Sequence, residues 1–246
     1  MQRAPALRSA TLTRPKETLG GLSGERLSSR GLADRPGRSG AFGGASCYPE
    51  WMLLPVSFYA RDVLTVAADL LGREFVRDSV ALRITEVEAY GGTEDSASHC
   101  RAGRTPRNAP MWGPPGHAYV YLCYGIHQML NVVAGVDGEG AAVLIRACEP
   151  VRGLATVRRR RGGKEGPVLL TGPGKVGAAL ALDTTYSGHP LFEAGGLELH
   201  VGEPATEVLR GPRVGVDFAL PEDRDAPLRL GVAGTRWVSH RRGLAP

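Results

Sequence analysis

From Tyr119 to Tyr124 the chain reads Tyr-Val-Tyr-Leu-Cys-Tyr, and a second extended run follows at Asn131–Ala134 after a short turn around Gly125. Parallel neighbours need a crossover of a dozen or more residues, so a connection this short joins antiparallel strands. Ala141–Ala147 is an unbroken apolar run of buried-strand character, and Ala81–Tyr90 reads as a further strand. Three more segments, Leu197–Val201, Val214–Phe218 and Leu228–Val232, alternate like strands of an antiparallel sheet. Helical spacing enters at Val63, Val66, Ala67, Leu70 and Leu71. That spacing predicts a helix from Ser57, capped by Ser57 or Asp62, stopped by Gly72 and running into extended Glu74–Val76. A short helical turn is expected at Glu94–Ser98, a helix over Val151–Arg161, and a glycine loop opening a helix over Gly172–Leu182. Residues 52–246 contain no repeat and no linker. The fold class expected is α+β: a single domain with an antiparallel β core, a protruding β-hairpin and surrounding helices.

At 246 residues with 42% hydrophobic and 22% charged side chains, the chain can bury a substantial core. No apolar run approaches the roughly 20 residues that span a bilayer, so a membrane location is not expected, and the cysteine pattern suits a cytoplasmic one. Cys47, Cys100, Cys123 and Cys148 are widely spaced and form no C-x-x-C pair, which predicts reduced thiols and no zinc site. Residues 1–51 are rich in Arg, Gly, Ser, Ala and Pro without hydrophobic period. They are expected to be a disordered tail, neither secretory signal nor amphipathic transit helix, with Met52 a candidate start. That tail carries eight basic and four acidic side chains, +4 of the net +5, so any nucleic-acid surface on the rest must be a local patch.

The chemistry concentrates between Arg83 and Asn131. On an extended strand, side chains two apart share a face, which places Glu86 and Glu88 with Leu82, Ile84 and Tyr90. Buried carboxylates need partners, so a structural ion pair and a catalytic base both remain open. Tyr119 and Tyr121 share one face of their strand and suit either core packing or stacking. Tyr124, at a hairpin tip, is badly placed for a core and well placed as a wedge between bases. Arg101, Arg104 and Arg107 lie in a polar loop; they suit phosphate oxygens, and a solvated loop is the alternative. Arg158–Arg161 with Lys164 read as a solvated helix face. The Gly172-Pro-Gly-Lys175 loop fails the nucleotide pattern, having Leu169 and Val176 where Gly and Ser or Thr are required. Lys175 and the helix start behind it are left as a candidate DNA phosphate contact. Of the six histidines, His99 beside the arginine loop is the one of interest, and no metal site is expected.

Over roughly Leu54–Val238 the sequence resembles the alkyladenine (3-methyladenine) DNA glycosylase family. The resemblance rests on Glu86-Val-Glu-Ala-Tyr90, Glu94-Asp95 followed by His99, Thr105-Pro-Arg-Asn108, Pro115–Tyr121, Tyr124-Gly125, Asn131, Leu144–Pro150, Gly172–Lys175 and Arg213-Val-Gly-Val-Asp217. Departures are His127 and Gln128 after the turn, an arginine loop a residue shorter than in some members, and Ala178 where a polar residue is common. The resemblance implies a single α+β domain acting without metal or organic cofactor, as a monomer, on double-stranded DNA containing damaged purines. It implies excision of 3-methyladenine- or hypoxanthine-type bases. Glu88 would be the general base and Arg146 would help hold the attacking water. Tyr90, His99 and Tyr121 would line the base pocket, with Tyr119 and Leu144 at its edge. Asn131 would exclude guanine, and Tyr124 would fill the gap left by the flipped nucleotide. No lysine occurs between Arg83 and Asn131, which points to a monofunctional hydrolase rather than a Schiff-base lyase. The rival readings are a damaged-DNA recognition protein without catalysis and, more distantly, an unrelated RNA- or nucleotide-binding module.

Overall fold

The computed structural model describes residues 52–246; the tail expected over 1–51, and Cys47 within it, lie outside the described residues. Eight strands form one sheet: β1 (Glu74–Arg77), β2 (Val80–Tyr90), β3 (Ala118–Cys123), β4 (His127–Ala134), β5 (Ala141–Arg152), β6 (Glu198–His200), β7 (Val208–Gly211) and β8 (Arg229–Val232). Every pairing is antiparallel. The order is β3-β4-β5-β2-β1-β6, and β8 pairs the second half of β2, with β7 outside it. β2 is therefore the spine. It holds β5 along one edge, and β1 and then β8 along the other. Around the sheet stand α1 (Val56–Tyr59), α2 (Val63–Leu70), α3 (Leu154–Arg160), α4 (Pro173–Ala179) and α5 (Pro221–Arg224). No helix among the described residues is long and apolar enough to cross a membrane. Cys100, Cys123 and Cys148 are free thiols.

The expected antiparallel hairpin is β3–β4, and its tip, residues 124–126, closes Cys123 against His127. Tyr124 and Gly125 both have positive φ (50° and 71°), and the Ile126 N–H donates to the Cys123 carbonyl at 3.1 Å. Two successive left-handed residues make the type I′ turn whose twist matches the flanking strands. The helix expected from Ser57 is split in two. Asp62 caps the second piece, its carboxylate accepting from the Thr65 N–H at 2.9 Å. The glycine loop over 172–182 does open a helix, α4, and the glycines serve packing. α4 lies so close on β4 that a Cβ at Gly177 would overlap the Gln128 carbonyl oxygen. Val214–Phe218 is not a strand. The Val214 N–H is taken by a side chain and the Ala219 N–H closes a turn on the Val216 carbonyl, so no ladder forms there; the strand is the earlier β7.

The main core covers one face of the sheet. Ala118 and Val120 of β3, Leu130 and Val132 of β4, and Val143 and Ile145 of β5 pack there with Val66 and Leu70 of α2 and Val176 of α4. β2 contributes Leu82 and Ile84, and then Val87 and Ala89. The alternation changes phase in between. Ile84 pairs with Cys148 and Glu86 with Ala147, leaving Thr85 unopposed; Val87 then pairs with Ile145, leaving Arg146 unopposed. One bulge on each strand thus offsets the other. Each extra residue shifts the side-chain parity. The expectation that Glu86 and Glu88 share a face with Leu82 and Ile84 is therefore overturned: beyond Thr85 the carboxylates and Tyr90 occupy the face opposite the core. The Thr85 hydroxyl, donating to the Trp237 carbonyl at 2.6 Å, pins the bulge.

Candidate active site

Strand register assembles most of the site. Glu88 stands opposite Leu144, Leu144 opposite Asn131, and Asn131 opposite Tyr119, with Arg229 facing Glu88 from the other edge. Directly opposed residues put their side chains on one face, about 5 Å apart. A single row across five strands thus brings together a carboxylate, an aliphatic side chain, a carboxamide and a phenol. Tyr90 and Tyr121 lie on neighbouring rows of the same face.

Glu88 is fully buried, as is Glu86. One Glu88 oxygen accepts from the Val214 N–H at 2.7 Å and lies 3.1 Å from an Arg146 terminal nitrogen; the other accepts from the Tyr90 hydroxyl at 2.9 Å. Glu86 is held by Arg229 at 3.0 Å and by the Ser239 N–H at 2.7 Å, with the Arg146 Nε at 3.5 Å. Arg146 thus bridges the two carboxylates, and its Nη2 donates to the Ser239 hydroxyl at 3.3 Å. Burial opposes its charge, but Glu88 and Glu86 outweigh that and raise its pKa. Charges this deep are tolerated because each is paired and hydrogen-bonded. A third buried carboxylate, Asp95, stands beside them. Arg213 grips Asp95 with two nitrogens at 2.5 and 2.8 Å, donates to the Ala89 carbonyl, and lies over the Tyr90 ring at 4.7 Å. Tyr90 is therefore clamped between a cation on its face and a carboxylate at its hydroxyl. Burial first, then Glu88, pushes its pKa well up, so it remains a donor.

Tyr90, whose hydroxyl Glu88 holds, opens onto a small cavity. Tyr90, His99, Tyr119, Tyr121 and Asn131 line it together with Met111 and Ala97. Gly215, Val216 and Phe218 close one side. Leu144 is buried behind the lining, in the row that carries Asn131. His99 meets the edge of Tyr121 at 4.6 Å, and its Nδ1 lies 3.1 Å from the Tyr119 hydroxyl. Burial, then Arg107 and Arg101, lowers the His99 pKa, so the ring is neutral at neutral pH. Burial lifts Tyr119 to about 12. The Asn131 amide donates to the Tyr119 and Met129 carbonyls at 3.0 and 3.3 Å and cannot swing.

The remaining expected residues lie around this cavity. Tyr124 stands at the hairpin tip, 91% exposed, with Ile126 beside it 74% exposed. Arg101, Arg104 and Arg107 are exposed. Arg101 lies over the Phe218 ring at 4.7 Å, and Arg107 lies over Tyr121 at 5.4 Å with one nitrogen on the Leu122 carbonyl. Asn108, buried beneath them, shapes their loop by donating to the His99 and Gly103 carbonyls at 2.9 and 3.0 Å. Lys175 turns back to the Thr171 carbonyl at 2.8 Å.

This arrangement pairs a buried carboxylate with an aromatic cavity beside an exposed apolar hairpin tip. A family model for methylpurine-DNA glycosylases matches residues 57–236. The chain belongs to the methylpurine-DNA glycosylase family. It is thus a DNA glycosylase of base excision repair, a monofunctional N-glycosyl hydrolase. It is 61% identical over 194 residues to a putative 3-methyladenine DNA glycosylase of Nitrosococcus oceani, covering 79% of this chain and 96% of the relative. It is 58% identical over 192 residues to a DNA-3-methyladenine glycosylase of Arabidopsis thaliana, covering 77% of this chain and 75% of that one. In this member of the methylpurine-DNA glycosylase family, several site residues escape a reading of the sequence. The Val214 N–H carries no side-chain signal. Arg229 and Ser239 lie far along the chain from Glu86. Asp95 and Arg213 belong to motifs that carry the resemblance, and nothing in the sequence says that they pair.

Proposed function

We propose that this glycosylase removes alkylated or deaminated purines, of the 3-methyladenine and hypoxanthine type, from duplex DNA. The observation that carries the reading is the seat of Glu88: a wholly buried carboxylate held by Val214, Arg146 and Tyr90, the last of which lines the aromatic cavity. Binding alone has no need of such a group, which disfavours a recognition protein without catalysis.

The target nucleotide rotates out of the helix, at a cost of a few kcal/mol that is smaller for damaged pairs. Tyr124 stacks into the vacated space and offsets part of that cost. The flipped purine lies between Tyr90 and Tyr121, where the pinned Asn131 carboxamide obstructs the amino group of guanine. Water attacks the sugar C1′ as the C1′–N bond breaks and its electron pair leaves with the base; Glu88 takes the water proton. The same carboxylate opposes the positive charge that develops on the sugar ring. A base that is already cationic departs neutral. Arg101, Arg104, Arg107 and Lys175 hold flanking phosphates.

The test is incubation with duplexes carrying hypoxanthine or 3-methyladenine, followed by alkaline cleavage of abasic sites. Strand breaks at the lesion and none at guanine or adenine are expected. Cleavage of undamaged purines at the same rate would remove the assignment of substrate class.

A further inference from the structure

Across the 212–218 loop from the aromatic cavity lies a second, more open groove; Gly215 lines both. Arg213, Arg229, His240, Arg241 and Arg242 line the groove, with Asp217 as its acid. The buried arginines at the active site are matched: Arg146 by Glu86 and Glu88, Arg213 by Asp95. Of the groove's four arginines, Arg213 is paired with Asp95 and Arg229 with Glu86, while Arg241 and Arg242 have no carboxylate partner among the described residues. Arg242 has no hydrogen-bond or ion-pair partner among the described residues, and Arg241 reaches only the Thr235 carbonyl. Arg229 is 2% exposed; its Nε and Nη1 are spent on Pro212, Glu86, Ser239 and His240. Its Nη2 bonds nothing among the described residues and faces Gly243, where an added Cβ would sit 3.2 Å away. Gly243, whose φ of 137° itself favours glycine, places no side chain over that nitrogen.

A guanidinium nitrogen left open on a groove rimmed by two arginines without ion-pair partners offers a seat for an anion. Guanidinium forks match phosphate oxygens. We propose that this groove holds backbone phosphates of the substrate DNA next to the flipped nucleotide, with Arg241 and Arg242 as contacts and Arg229 as the floor. The inference rests on the reading of the aromatic cavity as the seat of that nucleotide. It gives a binding role to residues 237–246, which lie beyond the 57–236 match to the family model.

The test is the affinity of the full chain for one duplex, with and without hypoxanthine, between 50 and 200 mM salt. Wild type is compared with R241A/R242A and R241K/R242K, and thermal melts check folding. Losing two phosphate contacts should flatten the slope of log K against log salt by about 1.8, at about 0.9 per phosphate. Damaged and undamaged duplex should weaken by the same factor, since backbone contacts do not read the base. The lysine pair should restore the slope. An unchanged slope in R241A/R242A, a weakening confined to the damaged duplex, or no restoration by lysine would each overturn the proposal. Tyr124→Ser in the same assay separates the two readings. If Tyr124→Ser loses the lesion preference while R241A/R242A keeps the wild-type slope, the groove proposal falls and the cavity reading stands. If wild type shows no lesion preference, the cavity reading falls.

Discussion

Glu88 is served by three donors from three parts of the chain: a backbone N–H at 214, the Arg146 guanidinium and the Tyr90 phenol. The identities of Glu88, Tyr90 and Arg146 are readable in the sequence, through the resemblance. The backbone donor is not, because an amide has no residue signature. At this scale the sharpest check is His99. Burial and two nearby arginines lower its folded pKa below the ordinary 6.5. Below pH 6.5 the unfolded chain takes up a proton that the folded protein refuses, so stability should fall as pH drops and level off below the folded pKa. NMR titration of the ring should show its midpoint under 6.5. A midpoint at or above 6.5 would contradict the dry, cationic surroundings described for it.

At the scale of elements, two local irregularities do most to shape the site. The bulge at Thr85 turns Glu86 and Glu88 away from the core. Period-two reading of the strand could not find it, because a bulge changes parity without changing composition. Thr85→Val keeps the shape and removes the bond to the Trp237 carbonyl, leaving a buried acceptor unpaired. It should cost about 1–3 kcal/mol, read as a lower denaturant midpoint at constant slope. The second irregularity is the hairpin tip. Tyr124 holds a left-handed backbone at φ 50° while its side chain packs on almost nothing. A bulky residue kept there against its conformational preference is expected where function needs it. Tyr124→Asn, which suits the type I′ turn, should raise stability by about 1 kcal/mol and slow excision from duplex DNA. A variant that is more stable and equally active on duplex would remove the wedge role.

At the scale of the molecule, the antiparallel α+β plan was legible because short turns and apolar alternation are local signals. The β3–β4 hairpin and the strands β2 and β5 lie where the pattern puts them. Val214–Phe218 was misread because its alternation serves the cavity wall instead of a ladder. The cross-sheet row from Arg229 through Glu88, Leu144 and Asn131 to Tyr119 was illegible, since register between distant strands leaves no trace in spacing. The same holds for the closing segment, whose Ser239 N–H caps Glu86 from 153 residues away. The whole sheet thus converges on one carboxylate, and Glu88→Gln tests that most directly. The change keeps the shape and removes the base. Single-turnover release of hypoxanthine from duplex DNA should fall by about 10²–10⁴, while affinity for the damaged duplex stays within a few-fold of wild type. Release at the wild-type rate with binding intact would contradict the account.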